Sequence, residues 1–130
     1  MAHQHPVELI MARGFTSNLA TPAFLVDDGG NLIFFNEAAG ELLGVRFEDA
    51  GRMGPDEWGG RFEPRALDGR PLPLEELPLA IALNQERAAH SHIRIRSSRG
   101  QAREIEVTAF PVVGRTGLRG AIAIFWEDSS

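Results

Sequence analysis

The chain has 130 residues, of which 43% are hydrophobic, and a formal net charge of −5 from 18 acidic and 13 basic side chains. This length fits one domain that builds its core without metals or disulfides. The negative balance argues against non-specific nucleic-acid binding, which needs a positive field. Because the chain has no cysteine and no lysine, thiol nucleophiles, disulfides and P-loop phosphate sites are excluded.

No part of the sequence indicates a membrane protein or a secreted protein. The N-terminus lacks the pattern of a signal peptide, and the longest apolar run, Gly120–Trp126, is far shorter than a membrane span. We therefore expect a cytoplasmic domain that does not enter a membrane.

The first predicted element is an amphipathic helix from Pro6 to Leu19. Its large apolar residues recur at helical spacing; they are Val7, Ile10, Met11, Phe15 and Leu19. Such a stripe needs an apolar cover. We therefore divide the chain into residues 1–19, a helix that caps the domain or joins two copies, and residues 20–130, the domain itself.

A hairpin and a short helix follow. Ala23–Val26 and Asn31–Phe35 are apolar runs on either side of an Asp-Asp-Gly-Gly turn, which predicts two antiparallel strands. Asn36 is a suitable N-cap for a helix over Glu37–Leu43, and Gly44 is a suitable residue to end it.

From Gly44 to Pro73 the sequence predicts irregular structure with isolated apolar anchors. The anchors are Phe47, Met53, Trp58, Phe62 and Leu67. A further helix is expected with Pro78 in its first turn. Its buried side is predicted to carry Ala80, Ile81 and Leu83.

The last third alternates between apolar and charged residues, which predicts strands. Ile93–Arg96 and Glu104–Phe110 form a hairpin around a turn at residues 98–102. Pairing Ser97 with Arg103 would set Arg94 against Glu106, Arg96 against Glu104 and Ile95 against Ile105.

The final strand, Leu118–Trp126, is apolar on both faces, so we expect it at the centre of the sheet with both faces covered. The N-terminal helix is the available cover for the second face, although a partner subunit is an alternative. The predicted fold class is α+β, with one antiparallel sheet, helices on one face and an additional N-terminal amphipathic helix.

Three segments resemble the PAS sensor domains. Phe24–Gly44 is similar to the opening hairpin and Asn-x-x-Ala helix of that family, Asp68–Glu76 to the segment before its main cavity helix, and Gly120–Asp128 to its last strand. The resemblance spans about residues 19–128. It implies a five-stranded antiparallel sheet and a cavity between the sheet and the helices.

The resemblance also bears on cofactors, since members of the family bind haem, flavin or small organic ligands, and others serve as dimerisation or relay modules. A covalent flavin needs a cysteine, and the chain has none. A haem usually takes an axial histidine from the main cavity helix, and Pro78–Glu86 contains no histidine. Both cofactors are therefore disfavoured, and the identity of any other stays open. Asp128–Ser130 matches the family's output corner only in part.

If a cavity exists, we expect it to be lined by apolar side chains with two polar groups. The predicted lining residues are Phe35, Leu42, Trp58, Phe62, Ile81 and Val107, with Asn84 and Thr108. The alternative is that these side chains fill the core and leave no cavity.

Other candidate sites have simpler explanations. His90 and His92 lie two apart on a strand, but no further ligand is near in sequence, so no metal site is predicted. The arginines around Arg94 and Arg96 face Glu104 and Glu106, as expected for a solvated and paired surface.

These features favour a non-enzymatic sensory or interaction module that relays a signal by rearrangement of a homodimer, with a small apolar ligand as an option. The expected dimer residues are Val7, Ile10, Met11 and Phe15. The expected partner is a kinase, a phosphatase or a transcription regulator. The alternative is a small enzyme that uses the same cavity, with Asp56, Glu57 or His90 as the acid–base group.

Overall fold

The computed structural model describes residues 7–96, 100, 102–115 and 117–127. The helices are α1 Val7–Ser17, α2 Glu37–Leu43, α3 Phe47–Ala50, α4 Pro55–Arg61, a 3-10 turn Leu74–Glu76 and α5 Pro78–Gln85. The strands are β1 Ala23–Asp27, β2 Leu32–Phe35, β3 Ala89–Arg96, β4 Ala102–Gly114 and β5 Gly117–Glu127. No helix in these described ranges is long and apolar enough to cross a membrane. Residues 1–6 of the predicted N-terminal segment and Asp128–Ser130 lie outside the described residues, and the division at residue 19 stays a prediction.

The five strands form one antiparallel sheet in the order β2-β1-β5-β4-β3. The last strand in sequence, β5, is therefore the central one, as predicted. It pairs with β1 through Leu25 and Ile122 and with β4 through Thr108 and Ile124. The predicted α+β fold class is confirmed.

Successive residues of β5 point to opposite sides of the sheet, and those on both sides are packed against other parts of the chain. Ala121, Ala123 and Phe125 join the main core beneath the helices α2 to α5. Ile122 belongs to a smaller cluster on the other face, and Ile124 packs against it. We call these the inner face and the outer face.

The helix α1 covers the outer face, as expected, but with side chains other than those predicted. Its buried residues are Leu9, Ala12 and Thr16, whereas four residues of the predicted stripe point to solvent, Val7, Ile10, Met11 and Phe15. Leu19, the fifth, is half-buried and lies beyond the end of the helix. Close approach decides this orientation, since Leu9 lies directly over Gly120, which has no side chain. The hydroxyl of Thr16 donates to the Ala12 carbonyl at 2.9 Å, so it is buried without loss of a hydrogen bond.

The predicted β3–β4 register is wrong by two residues. Arg94 pairs with Glu104, and Ile95 pairs with Arg103, where Glu106 and Ile105 were expected. A shift of two leaves every side chain on the same face, so the alternation in sequence cannot distinguish the two registers. Ser97 and most of the predicted turn lie outside the described residues.

The segment from α3 to α5 holds three of its five predicted anchors in the core. Met53, Trp58 and Phe62 are buried and Phe47 is half-buried, but Leu67 is 40% exposed, so that prediction is wrong. The helix α5 begins with Pro78, as predicted. Its buried residues are Pro78, Leu79, Ala80 and Ala82, whereas Ile81 and Leu83 are only half-buried.

Candidate functional site

A small cavity of about 70 Å³ lies between the inner face of the sheet and the helices. The sheet contributes Ile93, Val107 and Phe125, and the segment that enters α5 contributes Leu77 and Leu79. These side chains meet because alternate strand residues face inward. Pockets that bind drug-sized ligands have volumes of about 300 to 1,000 Å³, so this space is several times smaller than such a pocket.

The cavity is also apolar, because the one polar side-chain group among its lining residues already makes a hydrogen bond. The indole N–H of Trp58 donates to the Gly30 carbonyl at 2.7 Å. This bond fixes α4 against the β1–β2 turn and leaves no donor to orient a ligand. The cavity therefore suits only a small apolar molecule held by shape.

Three of the eight predicted lining residues, Trp58, Phe62 and Val107, line the cavity. Phe35 and Leu42 are buried in the surrounding core. The lining residues of β3, Ile93 and Ile95, were missed, although their alternation with arginines marked them as inward-facing.

The structure corrects the predicted positions of three further lining residues, namely the polar residues Thr108 and Asn84 and the apolar residue Ile81. Thr108 follows Val107 on β4 and so lies on the outer face, where its hydroxyl is 2.8 Å from Nδ1 of His90. Asn84 is exposed and borders a separate groove beside the β1–β2 turn. Ile81 is half-buried on α5 and does not line the cavity.

The candidate acid–base groups are not brought to the cavity. Asp56 and Glu57 are exposed in the first turn of α4. His90 lies on the outer face, with Nε2 3.3 Å from Glu106 Oε1. Among the described cavity residues none carries an acid or a base, so this space offers no acid–base partner to a substrate.

The outer face of β3 and β4 carries a ladder of cross-strand ion pairs. His92 Nε2 lies 3.3 Å from Glu104 Oε1, and Arg94 lies 3.5 Å from the other oxygen of Glu104. These pairs are accessible to solvent, so each contributes little to stability. Within the described ranges, no group of three or more histidine or acidic residues is arranged to hold a metal ion.

Asn36 connects α1 to the domain. Its amide nitrogen donates to the carbonyls of Thr16 at 3.0 Å and Thr21 at 2.9 Å. Its Oδ1 accepts from the backbone N–H of Ala23 at 3.1 Å and of Ala39 at 2.9 Å. One buried side chain thus joins the end of α1 to β1 and α2.

The outward side of α1 is a continuous apolar surface. Val7 is 61% exposed, Ile10 51%, Met11 69% and Phe15 56%. We call these four residues the α1 stripe. Exposed apolar side chains grouped in this way mark interaction surfaces more often than isolated ones do.

Comparison with known proteins identifies the fold family. A model of the PAS domain matches residues 13–84, more than half of the chain. The chain therefore belongs to the PAS domain family. No curated protein matches the sequence.

Solved structures agree on the fold. The PAS domain of BvgS from Bordetella pertussis is 16% identical with a TM-score of 0.63, over 95% of this chain and 87% of that chain. The PAS domain of nitrogen regulation protein NR(II) from Vibrio parahaemolyticus is 16% identical with a TM-score of 0.63, over 91% and 98%. A LOV protein from Rhodobacter sphaeroides is 15% identical with a TM-score of 0.69, over 94% and 68%. At these identities the likeness concerns the fold alone.

Proposed function

We propose that this chain is a non-enzymatic PAS module of signal transduction that forms a homodimer through the α1 stripe and acts on a signalling partner. Family membership supports a sensory role. Similar structures include PAS domains of a nitrogen regulation protein and of a two-component sensor histidine kinase. A kinase, a phosphatase or a transcription regulator would fit as the partner of such a module.

The exposed α1 stripe is the observation that carries this proposal. The opposite side of the helix is already used, because Leu9 and Ala12 pack on Leu25 and Ile122 of the sheet. A second copy is a suitable cover because two-fold symmetry brings the same uncharged patch together from both chains.

The anchoring of α1 would let a change in the dimer reach the sheet. Leu9 contacts β5 at Gly120, and Glu8 lies 3.7 Å from Arg119 of the same strand. Asn36 ties the other end of the helix to β1 and α2. Two arrangements of α1 would therefore differ in contacts with the central strand, and a ligand or partner that prefers one of them shifts the population.

For the cavity we propose a nearly filled core that admits at most a small apolar ligand. Its volume of about 70 Å³ is below the 150 Å³ or so at which an engineered apolar cavity takes up benzene. A signal that enters through this space would have to come from a very small molecule.

The substitution Ile10→Asp tests the dimer. A carboxylate in the centre of an apolar interface is costly because it is buried without a partner. We expect the molar mass from light scattering to fall from that of two chains to that of one, with an unchanged circular dichroism spectrum. Leu67→Asp, at an exposed apolar position outside α1, should keep the dimer mass. A wild-type monomer, or a dimer that survives Ile10→Asp, would refute the assignment.

A further inference from the structure

A second and larger depression lies beside β2, at the edge of the sheet opposite β3. Its volume is about 760 Å³, and its walls come from the end of α1, from α2 and from α3. Phe34 and Phe35 line it from the strand, and Phe47 lines it from α3. We call it the β2 groove. It is separate from the α1 stripe and goes beyond the function proposed above.

Two of the aromatic rings that line the β2 groove also contact a cation of this chain. The Phe47 ring packs edge-on against Phe34 and Phe35, with centroids 5.5 and 5.4 Å apart. The guanidinium of Arg13 from α1 lies 4.6 Å above the centre of the Phe34 ring and 5.8 Å from that of Phe47. The face of the Phe34 ring is therefore placed to take a guanidinium.

The rest of the groove is acidic. Glu37, Glu41, Glu48 and Asp49 line it, against Arg46 in the lining and Arg13 on its rings. Arg46 pairs with Asp49 at 3.8 Å. Among the ion pairs between described residues, none neutralises Glu37, Glu41 or Glu48, so the groove keeps a negative field next to its aromatic rings.

We propose that the β2 groove binds an arginine-bearing segment of a partner protein, with one guanidinium displacing Arg13 from Phe34 and others pairing with Glu41 and Glu48. Arginine suits this site better than lysine because its planar group both stacks on rings and pairs with carboxylates through two hydrogen bonds. The glutamates of the groove are exposed, so the site cannot enclose a small molecule as ligand pockets do. A segment with several cations spans it.

Calorimetry with a capped twelve-residue peptide that carries four arginines tests the proposal. The same peptide with citrulline in place of arginine keeps the shape and removes the charge, so its binding should be lost. Free arginine should bind far more weakly than the peptide. Binding of free arginine as tight as that of the peptide would overturn the proposal in favour of a small-molecule site.

Site variants separate the groove from general attraction to an acidic protein. Glu41→Gln with Glu48→Gln should weaken peptide binding about three- to tenfold. Glu57→Gln with Glu75→Gln removes the same charge from other exposed positions and should change binding much less. Equal losses in the two double variants would refute a specific groove.

The contact between Arg13 and the Phe34 ring is tested by a substitution that should tighten peptide binding rather than weaken it. Arg13→Gln frees the Phe34 ring and should tighten peptide binding about two- to fivefold, the size of an exposed cation–π contact. Arg115→Gln makes the same change of charge at an exposed turn and should have a smaller effect. Equal effects of the two substitutions would show that the peptide does not use this ring. Because these measurements do not involve the α1 stripe, their failure would leave the proposed dimer standing.

Discussion

Asn36 is buried, with 2% of its surface exposed, and its amide group is used as both donor and acceptor. The substitution Asn36→Asp keeps the acceptor for Ala23 and Ala39 but replaces the donor that faces the Thr16 and Thr21 carbonyls. An oxygen would then face oxygens, and a charge would be buried. We expect a loss of about 3–5 kcal/mol in the free energy of unfolding, measured by urea denaturation.

Asn84→Asp is the matched control because Asn84 is exposed on α5. Its unfolding free energy should change by no more than about 0.5 kcal/mol. Equal stability of the two variants would show that Asn36 does not join α1 to the domain in solution.

The role of Asn36 was predictable only in its local part. An asparagine before a helical run predicts the bond to Ala39, which is three residues away and follows from the geometry of a helix N-terminus. The bonds to Thr16 and Thr21 depend on where α1 docks, and no short sequence pattern encodes that. The placement of Thr108 in the cavity failed more simply, since a residue next to an inward-facing one on a strand points outward.

At the scale of elements, the docking of α1 depends on Gly120. A Cβ at this position would meet the Val26 carbonyl and would come within 2.9 Å of Leu9 Cδ2. Gly120→Ala should therefore disturb the pairing of β1 with β5 at Val26, and with it the contact of Leu9, and lower the unfolding free energy by about 1–3 kcal/mol. Hydrogen exchange should show a loss of protection in α1 and at the β1–β5 pairing.

Gly14 provides the control on α1 itself, since a Cβ there meets nothing within 4 Å. Gly14→Ala should raise the unfolding free energy by about 0.4–1 kcal/mol because alanine favours the helix. A destabilised Gly14→Ala, or a Gly120→Ala variant with full protection in α1, would contradict this packing of the helix.

The elements themselves were predictable where local signals agree. The helix α2 has the predicted bounds because its N-cap and its terminating glycine are both local signals. The β3–β4 register was not predictable, since pairing Arg94 with Glu104 or with Glu106 satisfies both charge and alternation. The buried side of α1 was mistaken because hydrophobicity favours large residues, whereas a helix that crosses a sheet closely buries small ones such as Ala12.

For the whole molecule, the antiparallel sheet and the central place of its last strand follow from sequence patterns, but the cavity does not. The central position of β5 was evident from apolar residues on both its faces. The volume left in the core depends on how all side chains pack together, to within a methyl group. The cavity volume is a small difference between the space enclosed by the backbone and the volume of the side chains that fill it. It therefore cannot be predicted from composition.

The nearly filled core leads to a prediction for Phe62, which lines the small cavity beside Phe24 with ring centroids 6.3 Å apart. Phe62→Ala should cost about 3–5 kcal/mol, a large part of the roughly 5–15 kcal/mol that stabilises a typical domain. The enlarged cavity should then bind benzene, which raises the melting temperature of the variant by mass action. The wild-type protein should show no such shift, and Leu67→Ala, at an exposed position, should behave like the wild type. A benzene shift in the wild type as large as in Phe62→Ala would mean that the native core already contains a ligand pocket.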